Sequence, residues 1–142
     1  MLPTQVSALA FVTTVAHAYY KQNTILFIAS IWLYTTTLIY HFTKTYIVRP
    51  ERTRRLIYYI DVTSCIAYYL VCIYDHATLH SLDPIQSIVI YGMHTGLPVF
   101  YMIAGHKKAL MWSSDDTESE LWHAIFHLGI QVETHLYLTW SK

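Results

Sequence analysis

The sequence predicts an all-α protein, a polytopic bundle of about five transmembrane helices. Of its 142 residues, 54% are hydrophobic and 13% are charged, whereas charged residues make up about a quarter of a typical soluble domain. Five stretches carry almost no charge, and each is close to the roughly 20 residues that a helix needs to cross the hydrocarbon of a bilayer. They are residues 2–20, 24–42, 56–74, 85–104 and 121–140. No linker or repeat interrupts them, so we expect residues 1–142 to form a single transmembrane domain.

The five segments differ in polarity. The first contains several hydroxyl and amide side chains but no charge, and it is counted as a span. The second and third each carry a polar stripe. The fourth contains Gly92 and Gly96, and this GxxxG pattern favours close helix packing, within the bundle or between protomers. The fifth contains Glu133 near mid-membrane, where a carboxylate must be paired, protonated or turned inward.

The Lys and Arg residues between the segments predict the orientation, because short loops rich in these residues are retained in the cytoplasm. The second and fourth loops are basic and contain Lys44, Arg49, Arg52, Arg54, Arg55, Lys107 and Lys108. The first loop has Lys21 alone, and residues 75–84 have no Lys or Arg. We therefore expect a cytoplasmic N-terminus. The zero net charge gives no reason to expect nucleic acid as a partner. Topology accounts for the five-cation loop, and binding of anionic lipid headgroups is a second interpretation.

Four polar residues fall at one depth in this topology. His41 ends the second segment, Asp61 lies early in the third, and His123 and His127 open the fifth. Alternating spans bring all four within about 10 Å of the cytoplasmic face, at 1.5 Å of rise per residue. Helical periodicity places each on a polar stripe. The stripes are Ser30, Tyr34, Thr37 and His41; Asp61, Ser64, Cys65, Tyr68 and Cys72; and His123, His127, Gln131 and His135.

This arrangement predicts a metal site. Two histidines one helical turn apart can reach one ion, and His41 can complete a three-histidine set that leaves one position for water, as in catalytic zinc sites. Asp61 is then placed to accept a proton from that water, and the Thr37 hydroxyl to donate to a developing oxyanion. The spacing alone is weakly specific, because His76 and His80 share it on the opposite side. Structural hydrogen bonding and a different divalent metal are the alternatives.

The ordered motifs resemble those of the CREST superfamily of membrane hydrolases, which includes alkaline ceramidases, the adiponectin and progestin receptor family and haemolysin-III-like proteins. The matching runs are TTTLIYH ending at His41, YID ending at Asp61, and HAIFH over residues 123–127. The resemblance implies zinc ligands at His41, His123 and His127, with Asp61 and Thr37 contacting the zinc-bound water. Thr37 stands where the family usually has serine, and the chain has fewer predicted helices than family members.

We therefore expect an integral, multi-pass membrane protein that uses Zn²⁺ to hydrolyse a lipid amide or ester, ceramidase-like or lipase-like. A homo-oligomer that completes the lipid cleft is a further expectation. One alternative is a non-catalytic receptor or scaffold with a structural metal, and another is a b-type haem electron-transfer protein. The sequence favours zinc over haem, because His123 and His127 share one helix face whereas axial haem ligands oppose each other.

Overall fold

The structure, a computed structural model, describes residues 3–46, 50–78, 82–107, 109–110 and 114–141. The all-α expectation is confirmed, since these residues form five helices and no strand. The helices are α1 (Pro3–Tyr20), α2 (Thr24–Tyr46), α3 (Glu51–Thr78), α4 (Pro84–Lys107) and α5 (Asp116–Trp140). Each coincides with one predicted segment. Leu2, Arg49, His80 and Lys108, together with the side chain of Arg54, lie outside the described residues.

The helices extend beyond the apolar segments that predicted them, because their charged ends are also helical. Helix α3 begins at Glu51, directly after Pro50, and so includes the arginines that were assigned to the second loop. Helix α5 begins after Asp115, whose side chain accepts a hydrogen bond of 2.9 Å from the backbone N–H of Glu118. This is the N-cap interaction that satisfies an otherwise unpaired donor in the first turn of a helix.

Three of the helices, α2, α3 and α4, are each long and apolar enough to cross a membrane. Helices α1 and α5 have comparable lengths but more polar faces. Buried polar side chains on α1 include Thr4, Gln5 and Ser7. On α5, Gln131 and Glu133 are buried as well.

The burial pattern is that expected of helices in lipid, with polar groups inside and large apolar groups outside. On α2, Ser30, Thr37 and His41 are buried, whereas Ile28 and Trp32 are about 60% exposed. The predicted stripes on α3 and α5 are likewise buried or half-buried. Because hydrocarbon cannot hydrogen-bond to polar groups, an inward polar stripe satisfies them.

The chain divides into two compact units. The first comprises Ala8–Leu79, and in it α2 and α3 pack as an antiparallel hairpin. At one end, Asn23 donates a 2.8 Å hydrogen bond to Asp75 and accepts one of 3.0 Å from the backbone N–H of Leu26. Further along, Thr37 donates 2.9 Å to Asp61. These buried bonds fix the register of the hairpin.

The second unit comprises Met1–Ser7 together with His80–Lys142. Helices α4 and α5 pack antiparallel in it, with the rings of Tyr101 and Phe126 4.9 Å apart. Gly129 lies against Leu97, whose Cδ2 would be 3.0 Å from an added Cβ. The start of α1 runs parallel to α5, because Thr4 contacts Glu120 and Ser7 contacts His127 further along both helices.

The structure shows the surroundings of two features predicted from the sequence, the carboxylate of α5 and the GxxxG pattern of α4. Glu133 is buried and forms an ion pair with the buried His94, so its partner lies on the neighbouring helix. Gly92 and Gly96 lie on an exposed face, and a Cβ added at either would meet no atom within 4 Å among the described residues. The GxxxG pattern therefore makes no close helix contact within the described part of this chain.

Candidate metal centre

The first two candidate ligands lie on successive turns of α5. His127 is buried and His123 is half-buried. Their ring centroids are 4.8 Å apart with an interplanar angle of 67°. Residues separated by four positions lie on one helix face, and these two rings meet edge to face instead of stacking. Both imidazoles are thus presented on the same side of the helix.

The contact with Ser7 is compatible with one tautomer of His127 that can bind a metal. The Oγ atom of Ser7 lies 3.0 Å from Nδ1 of His127 and donates to the carbonyl oxygen of Thr4, also at 3.0 Å. A serine hydroxyl has one proton to donate. When that proton is directed to Thr4, the hydroxyl accepts from Nδ1–H of His127. In this tautomer the lone pair of the imidazole is on Nε2, which is then able to bind a metal.

Ser7 is the residue that sequence reasoning missed. It is buried, and its backbone carbonyl accepts a 2.9 Å hydrogen bond from Nε2 of Gln131, one turn beyond His127. The predicted topology contains a signal for it, because an inside N-terminus places the start of α1 at the same depth as the start of α5. A buried hydroxyl at that depth is a candidate to orient a metal ligand.

The third candidate ligand, His41, is buried on α2. The ring of the adjacent Tyr40 meets its imidazole edge to face at 4.9 Å. One turn earlier on the same helix, the hydroxyl of Thr37 donates to Oδ1 of Asp61. Asp61 is thereby held against α2 at a level about 6 Å along the helix axis from His41.

The three predicted ligands belong to different compact units, His41 to the unit of residues 8–79 and His123 and His127 to the other. Within the second unit, the two imidazoles of α5 are presented together on one helix face. Imidazole nitrogen suits zinc and several other divalent metals.

The other polar residues named from the sequence are described within their own helices. The described contact of Asp61 is the Thr37 hydroxyl. His76 is buried near the far end of α3. The HxxxH at 76–80 cannot be compared with the HxxxH of α5, because His80 lies outside the described residues.

Comparison with known proteins gives no match. No protein-family model matches the chain, no curated protein is similar to it, and no solved structure is similar to its fold.

Proposed function

We propose that this chain is a multi-pass membrane hydrolase of the CREST type, which uses a zinc ion held by His41, His123 and His127 to cleave a lipid amide or ester. The observation that carries the proposal is the histidine pair of α5, because the rings of His123 and His127 meet on one helix face and Ser7 contacts Nδ1 of His127. His41 and this pair come from two motifs whose order in the sequence matches the family pattern.

The proposed topology has five spans, with the N-terminus and the metal site at the cytoplasmic face. Helices α2, α3 and α4 have the required length and hydropathy. In an alternating topology with five spans, the first and last helices run in the same direction. The contacts of Thr4 with Glu120 and of Ser7 with His127 show that the start of α1 runs in the same direction as α5. The basic loops at residues 44–55 and 107–108 then lie in the cytoplasm.

Hydrolysis requires a polarised carbonyl and an activated water, and a zinc ion bound by the three histidines would supply both. In the proposed mechanism, Asp61 takes the proton from that water. Thr37 holds Oδ1 of Asp61 through a 2.9 Å hydrogen bond, which leaves the other carboxylate oxygen to act as the acceptor. Once Asp61 is protonated, the Thr37 hydroxyl can turn to the developing oxyanion.

The histidine arrangement favours a single metal ion over a haem. Axial haem ligands lie on opposite sides of a macrocycle, whereas His123 and His127 come from one face of one helix. The hydrogen bond of Ser7 to Nδ1 of His127 resembles the outer contacts that orient histidine ligands of metals. A receptor or scaffold with a structural metal would share this geometry, and turnover distinguishes it from a hydrolase.

The experiment is metal content by plasma mass spectrometry on detergent-purified protein prepared without chelators. We expect about one zinc per chain in the native protein and in His76→Ala, and loss of the metal in His41→Ala. His76 is the matched control because it is also a buried histidine of the α2/α3 unit. Absence of metal from the native chain would refute the proposal. Bound zinc without turnover on a panel of ceramides and phospholipids would instead support a receptor or scaffold.

A further inference from the structure

A cleft of about 380 Å³ opens at the end of the α2/α3 hairpin that holds His41. Its walls include the rings of Tyr40 and Tyr58, whose centroids are 5.8 Å apart. Among the described residues, its rim carries three charged side chains, those of Lys44, Glu51 and Arg55. The cleft thus combines an aromatic wall with a charged mouth at the point where the hairpin meets water.

The charged mouth has a net positive charge from two cations and one carboxylate. Glu51 and Arg55 form an ion pair, and their side chains are 67% and 71% exposed. Exposed pairs of this kind contribute little to stability. Another anion can therefore replace the Glu51 carboxylate at Arg55 at a small cost in free energy. The same anion can also contact Lys44, an exposed residue on the same rim.

The aromatic wall of the cleft contacts His41, one of the candidate metal ligands. Tyr40 lines the cleft, and its ring also contacts the imidazole of His41 at 4.9 Å. One turn deeper, Thr37 holds Asp61. A molecule whose anionic group lies between Lys44 and Arg55 therefore has its adjoining part beside Tyr40 and close to His41.

We infer that this cleft binds the phosphodiester of a lipid headgroup, so that the lipid cleaved by this chain is a phospholipid and the bond broken is its acyl ester. The binding step stands on the cleft alone, and the cleavage step rests on the proposed function. Arginine and lysine together recognise phosphate, with arginine able to form two parallel hydrogen bonds. A ceramide headgroup is an uncharged hydroxyl and offers no negative charge to either cation.

The test is binding of a fluorescent phosphatidylglycerol to the detergent-purified full-length chain, followed by fluorescence anisotropy. We expect Lys44→Gln and Arg55→Gln each to weaken binding about tenfold, and Lys44→Arg to restore it. Arg52→Gln is the matched control, because Arg52 is exposed in the first turn of the same helix, α3, but is not among the described residues that line the cleft. We expect unlabelled phosphatidylglycerol to displace the probe and ceramide to leave it bound.

Three outcomes would overturn the inference. Unchanged binding in Lys44→Gln and Arg55→Gln would remove the cleft as the binding site. Equal weakening in Arg52→Gln would reduce the effect to general charge attraction. Displacement of the probe by millimolar inorganic phosphate would identify a free-anion site instead of a lipid site. Because the assay measures neither metal nor turnover, its result is independent of the zinc measurement, and either proposal can fail alone.

Discussion

Ser7 and His127 are joined by a 3.0 Å contact between a hydroxyl oxygen and an imidazole Nδ1. The contact links the start of α1 to the second histidine of the HxxxH motif on α5. When the same hydroxyl donates to the carbonyl of Thr4, it accepts from Nδ1–H of His127, and the lone pair of the imidazole is on Nε2. A residue distant from every motif in the sequence therefore contacts a candidate metal ligand.

Replacement of Ser7 by alanine should weaken zinc binding without removing a ligand. We expect the zinc affinity of Ser7→Ala to fall by about 10- to 100-fold, the range typical when an outer hydrogen bond to a metal-binding histidine is lost. Competition with a chromogenic chelator measures the zinc affinity. Thr13→Ala is the control, because Thr13 is exposed on the same helix and its hydroxyl bonds the carbonyl of Ala10. Native affinity in Ser7→Ala would refute this role.

Replacement of Asp61 by asparagine should abolish turnover and retain the metal. General-base catalysis contributes about 10²- to 10⁴-fold, and we expect a loss of that order in kcat of Asp61→Asn with a normal zinc content. Turnover close to native in a zinc-loaded variant would exclude Asp61 as the base.

The hydrogen bond from Thr37 to Asp61 gives a second kinetic prediction. We expect Thr37→Val to lower kcat more than it changes KM, because the hydroxyl acts on Asp61 and on the developing oxyanion, and not on the lipid in its ground state. Thr36→Val is a closely matched control, since Thr36 is also buried on α2 but bonds the carbonyls of Trp32 and Leu33 within its own helix. Equal losses in the two variants would indicate a packing effect alone.

The buried pair of His94 and Glu133 should stabilise the α4/α5 unit. Removal of one partner of a buried pair typically costs about 3–5 kcal/mol, because it leaves an uncompensated polar group. We expect Glu133→Gln to lower the thermal unfolding midpoint in detergent, and the apolar double variant His94→Leu/Glu133→Leu to recover much of the loss. Glu118→Gln, an exposed change at the start of the same helix, should have no effect. Additive losses in the double variant would contradict a direct pairing.

The proposed orientation predicts opposite locations for the two ends of the chain. In sealed vesicles with the cytoplasmic face outward, an added protease should remove an epitope tag at the N-terminus and leave one at the C-terminus intact. The expected result follows from the proposed orientation, in which the Lys and Arg residues of the second and fourth loops lie in the cytoplasm. Cleavage of both tags would show an even number of spans and would move the start of α5 to the other face.

The sequence was sufficient for features that repeat along a helix, and insufficient for those that depend on one contact. Charge-free length predicted each of the five helices, and periodicity identified Ser30, Thr37 and His41 as buried. The pairing of Glu133 with His94 was not predictable, since periodicity gives the face of each helix but not the register between two helices. The Ser7 contact was missed for the same reason, because a lone serine in an apolar helix has no pattern of its own.

The two buried hydrogen bonds between α2 and α3 have a consequence for biogenesis. Asp75 is bonded by Asn23 at one end of the hairpin, and Asp61 by Thr37 further along. A carboxylate that enters lipid alone is expensive, so helix α3 is a poor candidate for insertion by itself. We expect the hairpin to leave the translocation machinery as a pair, with its register set by these bonds. His41 would then be oriented before α5 is synthesised, and the metal ion would be the last component to join.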